Sequence, residues 1–267
     1  MNTFWWEGPR PETKFAPNFK VPVYVAKDGS QQFVKDMIQY VLDVERNIIE
    51  HEELVSPVPK SGMDPYKHTQ QWKQHNLLDD IPGHDGEHLK RFPKHPCIEE
   101  LFNLVRINYL THLANLRYPR RKVFIHGWAN VLRNDEWISM HTHSSHTEAY
   151  LSSTYYLTSS PASLYLANPS GPMSEHTGKL DKVSYANWQN LTVAQQQSSS
   201  DMVEIKTEAR KIVFFPSWIP HWSEKQEGEN LRISLAFDIV TENTALGNHW
   251  RPHRLLDDPA TMPGLEG

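Results

Sequence analysis

The sequence is poor in cysteine, in long apolar runs and in net charge. Its single cysteine, Cys97, cannot form a disulfide within the chain, which fits a reducing compartment. No apolar run approaches the roughly 20 residues that a membrane-spanning helix needs. The aromatic and polar first residues lack the basic-then-apolar pattern of a secretory signal. We therefore expect a cytoplasmic protein without a membrane partner.

The charge balance also limits the kind of partner. The net charge is −5 over 267 residues, with histidines counted as neutral. A protein that binds nucleic acid usually presents a strongly basic patch, and the sequence has none. We therefore expect a small-molecule or amino-acid-like substrate and no nucleic acid. The oligomeric state is left open by the sequence, with a homodimer among the alternatives.

Two helical patterns occupy the first part of the chain. Apolar residues recur at helical spacing over residues 31–53 and again over residues 97–117. Ser30 precedes the first pattern and is a suitable N-cap. The first 30 residues hold four prolines and are expected to be extended, and the polar residues 54–96 are expected to form a long loop region.

From residue 122 the pattern changes to short segments rich in Val, Ile, Tyr and Phe, separated by turn residues. Five or six such strands over about 120 residues suit a sandwich or jelly roll. The predicted fold class is therefore mainly β with N-terminal α-helices. We divide the chain into a helical and irregular N-terminal region (1–120) packed on the core, a β core (121–243) with a long insertion loop at 170–200, and an irregular C-terminal tail (244–267).

Three histidines and a glutamate fall close together in "WISMHTHSSHTEAYLSSTYYL", residues 137–157. Side chains at positions i and i+2 of a strand point to the same face, so His141 and His143 project together if this segment is extended. Imidazoles that converge in this way suit a first-row metal. The direction of His146 and Glu148 is not fixed by the sequence, and an accidental pair on a solvated strand is the alternative.

A third histidine and an arginine follow much later in the chain. In "KIVFFPSWIPHWS", His221 comes after an apolar strand that Pro216 interrupts, at the rim or interior of a barrel, where it can meet the other pair. In "ENLRISLAFDIV", Arg232 and Ser234 share one strand face. An arginine that faces inward is costly to bury unpaired, and a bound dicarboxylate would pair with it. An arginine on an edge strand in water is the alternative.

The segments "WANVL", "HTH", "SSTYYL", "LYLANP", "VFFPSWIPH" and "LRISLAF" occur in order between about residues 123 and 240. Together they resemble the iron(II)- and 2-oxoglutarate-dependent oxygenases, closest to a branch with H-x-H, F-P-S-W-x-x-H and R-I-S motifs. The resemblance implies a double-stranded β-helix, a jelly-roll variant of the cupin superfamily. It also implies an Fe(II)- and 2-oxoglutarate-dependent dioxygenase that uses O2.

The resemblance implies a role for each matching residue. His141, His143 and His221 take the positions of the iron ligands. Arg232, with ten residues between it and His221, takes the position of the basic residue that binds the far carboxylate of 2-oxoglutarate.

Further contacts to 2-oxoglutarate are expected from Ser234, from Tyr155 (favoured over Tyr156) and from Asn130, and no catalytic residue is expected beyond the metal centre. Two positions depart from the pattern: His143 stands where most members of the wider superfamily have Asp or Glu, and Ser153 stands where the branch has glycine.

The implied reaction is hydroxylation of an unactivated C–H bond, with release of succinate and CO2. Two other readings stay open at this point. The first is a cupin-type metalloenzyme without 2-oxoglutarate, whose ligands would be His141, His143, Glu148 and His221. The second is a non-catalytic jelly-roll binding domain in which the histidines are structural.

Overall fold

A computed structural model describes eight segments of the chain: residues 2–7, 20–51, 76–78, 95–138, 140–143, 149–167, 202–247 and 253–265. The insertion loop expected at 170–200 lies outside them, as does most of the loop region expected at 54–96. None of the described helices combines the length and the apolar character needed to cross a membrane.

Two long helices precede most of the described strands, as expected, but two strands come before the first helix. The helices are α1 (Gln31–His51), α2 (Pro96–Leu116) and α3 (Glu242–Gly247). The strands are β1 (Thr3–Glu7), β2 (Lys20–Lys27), β3 (Val123–Leu132), β4 (Leu151–Tyr156), β5 (Leu164–Ala167), β6 (Met202–Ile205), β7 (Lys211–Pro216), β8 (His221–Ser223), β9 (Arg232–Thr241) and β10 (Arg254–Asp257).

These strands form two antiparallel sheets. The larger sheet has the order β1-β2-β7-β4-β9-β3-β10, and the smaller sheet has the order β6-β5-β8. Strand β4 lies between β7 and β9 and pairs with both. The chain thus passes between the sheets several times, as it does in a jelly roll. The prediction of a mainly β double-stranded β-helix with N-terminal helices is confirmed.

Successive side chains along the strands of the larger sheet point to opposite faces, and each face carries its own apolar cluster. In β7, Ile212 and Phe214 belong to a cluster shared with α1 and α2, whereas Val213 and Phe215 belong to a cluster shared with the smaller sheet. The helices therefore cover one face of the larger sheet and the smaller sheet covers the other. This leaves the space between the two sheets for a site.

Local hydrogen bonds cap the N-termini of both long helices and the C-terminus of the second. Ser30 Oγ accepts from the Phe33 backbone N–H at 3.0 Å, which confirms it as the N-cap of α1. His95 Nδ1 accepts from the Cys97 N–H, and Pro96 occupies the first turn of α2, where its missing N–H costs little. Arg117 ends α2 in the left-handed conformation, with φ of 56°.

Two regions hold more strand than the sequence indicated. Residues 254–257, expected within an irregular tail, form β10 and pair with β3 at the edge of the larger sheet. The buried carboxylate of Asp257 accepts hydrogen bonds from Arg106 at 3.0 Å and from Arg120 at 2.6 and 2.9 Å, which connects β10 to α2 and to the segment that follows it. A four-residue strand is too short to show alternation, so the sequence pattern missed it.

Strands β1 and β2 likewise extend the larger sheet through β7, so the N-terminal region supplies strands as well as helices. The division of the chain at residues 120 and 243 stays a prediction.

We predict that His112 makes the fold sensitive to acid. This side chain of α2 is 2% exposed and packs against Tyr24 and Phe214. Burial disfavours its charged form and lowers its pKa from 6.5 to about 4. Above pH 6.5 the imidazole is neutral in both the folded and the unfolded state. As the pH falls from about 6.5 to 4 the unfolded state takes up the proton first, which removes up to about 3 kcal/mol of stability.

His112→Gln should therefore lose less stability than the wild type between pH 6.5 and 4, as measured by urea unfolding at several pH values. Thr3→Ala, which removes the hydroxyl 3.2 Å from His112 Nδ1 but keeps the imidazole, should retain the steep dependence. Equal slopes for wild type and His112→Gln would contradict the prediction.

Candidate metal centre

A pair of reciprocal backbone hydrogen bonds brings His141 and His221 together. The His141 N–H donates to the His221 carbonyl at 3.0 Å, and the His221 N–H donates to the His141 carbonyl at 3.0 Å. His221 is the first residue of β8 in the smaller sheet, and His141 precedes β4 of the larger sheet. This bridge places His221 beside the H-x-H segment, as the sequence led us to expect.

The third imidazole, from His143, completes a cluster. One ring nitrogen of each of the three histidines lies within 4.8 Å of the others. The ring centroids of His143 are 4.9 Å from those of both His141 and His221, and the His141 and His221 centroids are 4.3 Å apart. His143 and His221 are both buried. Rings at these separations can direct three nitrogens at one ion.

Two of the histidines have a hydrogen-bond partner at Nδ1, which leaves Nε2 as the nitrogen available for a metal. His221 Nδ1 lies 2.9 Å from the Ile219 carbonyl oxygen, which can only accept, so Nδ1 carries the proton and Nε2 is left with its lone pair. His143 Nδ1 lies 2.5 Å from Asp238 Oδ1 in a buried pair. Metal-binding histidines in proteins are usually held in this way by a carbonyl or a carboxylate.

The cluster lines a cavity between the two sheets, together with polar and aromatic side chains. The lining residues are Trp128, Asn130, Ile138, His141, His143, Ser152, Ser153, Thr154, Tyr156, Leu164, Phe215, His221, Trp222, Ser223, Arg232, Ser234 and Ala236. Most of the aromatic rings come from strands, so their positions are fixed by the sheets.

Arg232 is the buried cation of this cavity. Its side chain is 1% exposed, its Nε–H donates to the Ala162 carbonyl at 3.3 Å, and its guanidinium lies beside the Tyr156 ring. Among the described residues, its Nη1 has no hydrogen-bond partner and no carboxylate forms an ion pair with it. Burial lowers the pKa of Arg232, but a guanidinium stays charged in a protein. A buried charge with a free donor fits an anionic ligand.

The predicted companions of Arg232 fall on the same face of the sheet. Ser234 lies two positions along β9, and Asn130 is its register partner on β3. Both are buried and both line the cavity. Their contacts to a bound ligand stay predictions.

Tyr155 does not reach the cavity, and its expected role is wrong. Its side chain belongs to the cluster under the helices, and its hydroxyl donates to the Asp28 carbonyl at 3.0 Å. The neighbouring Tyr156 takes the inward position because consecutive strand residues face opposite ways. Its ring centroid lies 5.4 Å from the Arg232 guanidinium carbon. The sequence showed that one of the two tyrosines points inward but not which.

One candidate ligand falls outside the described residues, and one residue of the site was not predicted. Glu148, the alternative ligand, lies outside the described residues, as does His146. Asp238 was missed, although it stands on β9 an even number of positions from Arg232 and so shares its face. An acidic residue within the apolar segment "LAFDIV" was the signal that could have found it.

The donor set fits a divalent first-row metal. Neutral imidazole nitrogens suit Fe, Zn, Cu and Ni, and a set of three protein ligands leaves coordination positions for other molecules. Arg232 in the same cavity adds a site for a carboxylate. The arrangement can therefore hold a metal together with a small carboxylic acid.

Comparison with known proteins agrees with this arrangement. The sequence model of the family described as "Putative 2OG-Fe(II) oxygenase" matches residues 126–238, a range that contains all three histidines and Arg232. Over this range, the resemblance to Fe(II)- and 2-oxoglutarate-dependent oxygenases is confirmed. The cofactors that this family implies are Fe(II) and 2-oxoglutarate. No curated protein sequence matches the chain.

Several solved structures are similar at low identity. SnoK, a non-heme alpha-ketoglutarate-dependent carbocyclase from nogalamycin biosynthesis, is 11% identical with a TM-score of 0.49, covering 82% of this chain and 80% of its own. HygX from Streptomyces hygroscopicus, with nickel and 2-oxoglutarate bound, is 13% identical with a TM-score of 0.46, covering 82% and 83%. A Pseudomonas putida prolyl-4-hydroxylase is 10% identical with a TM-score of 0.44, covering 82% and 88%.

We predict that the protein binds one divalent first-row ion through the histidine cluster. His221→Ala should weaken Co(II) binding at least about 100-fold, because even the loss of a residue that only supports a ligand costs 10- to 100-fold. Anaerobic titration followed by visible absorption measures the affinity. His112→Gln, which changes a buried histidine outside the cluster, should bind as the wild type does. Undiminished binding by His221→Ala would contradict the prediction.

Proposed function

We propose that the protein is an Fe(II)- and 2-oxoglutarate-dependent oxygenase. It hydroxylates an unactivated C–H bond of a small-molecule or amino-acid-like substrate and releases succinate and CO2. His141, His143 and His221 hold the iron. The observation that carries this proposal is the buried Arg232, which lines the same cavity as the three histidines and whose Nη1 has no hydrogen-bond partner among the described residues.

Arg232 distinguishes this function from that of a metalloprotein without a co-substrate. A guanidinium buried at 1% exposure pays a desolvation cost that only a good anionic partner offsets. The far carboxylate of 2-oxoglutarate supplies that partner, and hydrogen bonds between two charged groups are the strong ones. Ser234 and Asn130 on the same face add neutral hydrogen-bonding groups, and the Tyr156 ring lies beside the guanidinium.

The charges of the site also fit a dianionic co-substrate. Three neutral imidazoles leave the full double charge of Fe(II) uncompensated by the ligands themselves. A bound 2-oxoglutarate carries two negative charges and cancels it. Because charges attract more strongly in a poorly solvated cavity than in water, this match favours the dianion over neutral keto compounds.

Bound Fe(II) and 2-oxoglutarate would supply the oxidising chemistry, in which O2 is consumed and the keto acid loses CO2 to become succinate. The protein positions these groups and keeps water out. Trp128 and Phe215 of the larger sheet and Trp222 of the smaller sheet line the cavity beside the histidines. Tyr165 stacks on Trp222 at 5.3 Å between ring centroids, which fixes the orientation of that wall.

The proposal is tested by turnover of 2-oxoglutarate. Protein loaded with Fe(II) should form succinate and CO2 from 2-oxoglutarate and O2, at a slow rate when no substrate is present. Arg232→Gln should raise the concentration of 2-oxoglutarate needed for half-maximal turnover about 30-fold, since hydrogen bonds to charged groups contribute about 2 kcal/mol.

Arg133→Gln is the matched control, because Arg133 pairs with Glu45 away from the cavity. It should turn over 2-oxoglutarate as the wild type does. Metal binding without any 2-oxoglutarate turnover would overturn the proposal in favour of a metalloprotein without this co-substrate.

We predict that the two adjacent tyrosines of β4 have different roles, one in binding and one in stability. Tyr156→Phe removes the hydroxyl of the tyrosine that lines the cavity beside Arg232, and it should weaken binding of 2-oxoglutarate to the Mn(II)-loaded protein about fivefold, the equivalent of one hydrogen bond. Tyr155→Phe removes the bond to the Asp28 carbonyl. It should lower the free energy of unfolding by about 1 kcal/mol without changing that affinity.

Calorimetric titration and urea unfolding measure the two effects. The reverse pattern, with Tyr155→Phe impairing binding and Tyr156→Phe leaving it unchanged, would contradict the assignment.

A further inference from the structure

Asp238 is a buried carboxylate that the proposed chemistry does not itself require. Its side chain is 1% exposed and lies on β9, in the middle of the larger sheet. Its Oδ1 is 2.5 Å from His143 Nδ1, and the Ser152 hydroxyl donates to the same oxygen from 3.4 Å. An ionised carboxylate inside a protein is costly unless it is paired. Its contact with a histidine of the metal cluster therefore suggests a role at that cluster.

The strand register shows how this contact arises. Residues of β9 at even positions, from Arg232 through Ser234 to Asp238, share the face that looks into the space between the sheets. Ser152 on β4 and His126 on β3 are the register partners of Asp238 on its two sides. The carboxylate is thus held by the central strands of the sheet, whereas His143 lies outside any strand and is anchored by its backbone N–H, which donates to the Ser217 carbonyl at 2.9 Å.

We propose that Asp238 is a positioning residue for the metal centre. It accepts the Nδ1–H of His143, which fixes the imidazole in the tautomer whose Nε2 lone pair is available to a metal. No proton is transferred, because the hydrogen stays on Nδ1 throughout. The contact also holds the ring orientation, since the carboxylate itself is immobilised by β9. This inference rests on the proposed function, in that His143 is taken as a ligand.

Asp238 also restores a negative charge to the centre. His143 is a neutral donor at the position where most members of the wider oxygenase superfamily place Asp or Glu. A carboxylate on the far nitrogen of His143 supplies that charge from one residue further out and makes the imidazole a stronger donor. The two buried charges of β9, Asp238 and Arg232, then balance each other, as Fe(II) and a dianionic co-substrate do.

The test compares metal affinity in Asp238→Asn with that in the wild type, without 2-oxoglutarate. Asparagine keeps the size of the side chain but loses the charge. The affinity for Co(II), titrated anaerobically and followed by its visible absorption bands, should fall 10- to 100-fold, the usual cost of losing such a partner. The bands themselves should shift, because the donor strength of one ligand changes. Asp238→Glu should recover part of the affinity.

Asp257→Asn is the matched control. Asp257 is a second buried aspartate of the larger sheet, and it pairs with Arg106 and Arg120 instead of a histidine. If Asp238 serves only the fold, both variants should lose stability and neither should lose Co(II) affinity. The inference expects the affinity to fall in Asp238→Asn alone, and equal affinities in wild type and Asp238→Asn would overturn it.

A measurement on the wild type decides the question even if Asp238→Asn does not fold. In Zn(II)-loaded protein labelled with ¹⁵N-histidine, NMR should show that His143 carries its hydrogen on Nδ1 and binds zinc through Nε2, with His143→Gln used to assign the signal. A hydrogen on Nε2 would overturn the inference.

Variants of the histidine ligands distinguish a failure of this inference from a failure of the proposed function. If His143→Ala and His221→Ala both keep full Co(II) affinity, the ligand assignment fails. If those variants lose the metal while Asp238→Asn keeps it, the inference about Asp238 fails alone.

Discussion

The burial of the Arg232 guanidinium is the constraint on which the site depends. A cation that is 1% exposed, and whose Nη1 has no partner among the described residues, is stable only beside an anion or in a cavity that receives one. Strand β9 cannot expose it, because its odd-numbered residues Ile233, Leu235 and Phe237 are packed under the helices. The apolar face of β9 therefore forces its polar face inward. That geometry supports the proposed acidic ligand.

The two-sheet architecture explains how residues about ninety positions apart form one centre. The helices cover one face of the larger sheet, so its other face can carry polar groups towards the smaller sheet. His221 is brought in by β8 of the smaller sheet, and the reciprocal backbone bonds with His141 fasten the H-x-H segment to it. Asp238, from the larger sheet, then holds His143 from the opposite side. The smaller sheet thus holds His221 and His141, and the larger sheet contacts His143 through Asp238.

Much of this arrangement could be predicted from the sequence, and the exceptions have physical causes. The period-two pattern of β9 correctly placed Arg232 and Ser234 on one inward face, and the apolar run before Pro216 placed His221 at the cavity. The choice between Tyr155 and Tyr156 failed because both are aromatic and both faces of β4 are buried, which removes the contrast that alternation needs. Strand β10 was missed because its stability comes from Asp257 and its distant arginine partners, which a local pattern cannot show.

The central claim is that one keto acid binds both to a metal held by the three imidazoles and to the Arg232 guanidinium. A crystal structure of the protein with Mn(II) and 2-oxoglutarate tests it most directly, with anomalous scattering to locate the metal. The account predicts the ion between His141, His143 and His221, and the far carboxylate of the keto acid on the Arg232 guanidinium. A metal bound away from the histidines, or a guanidinium that does not contact the keto acid, would contradict it.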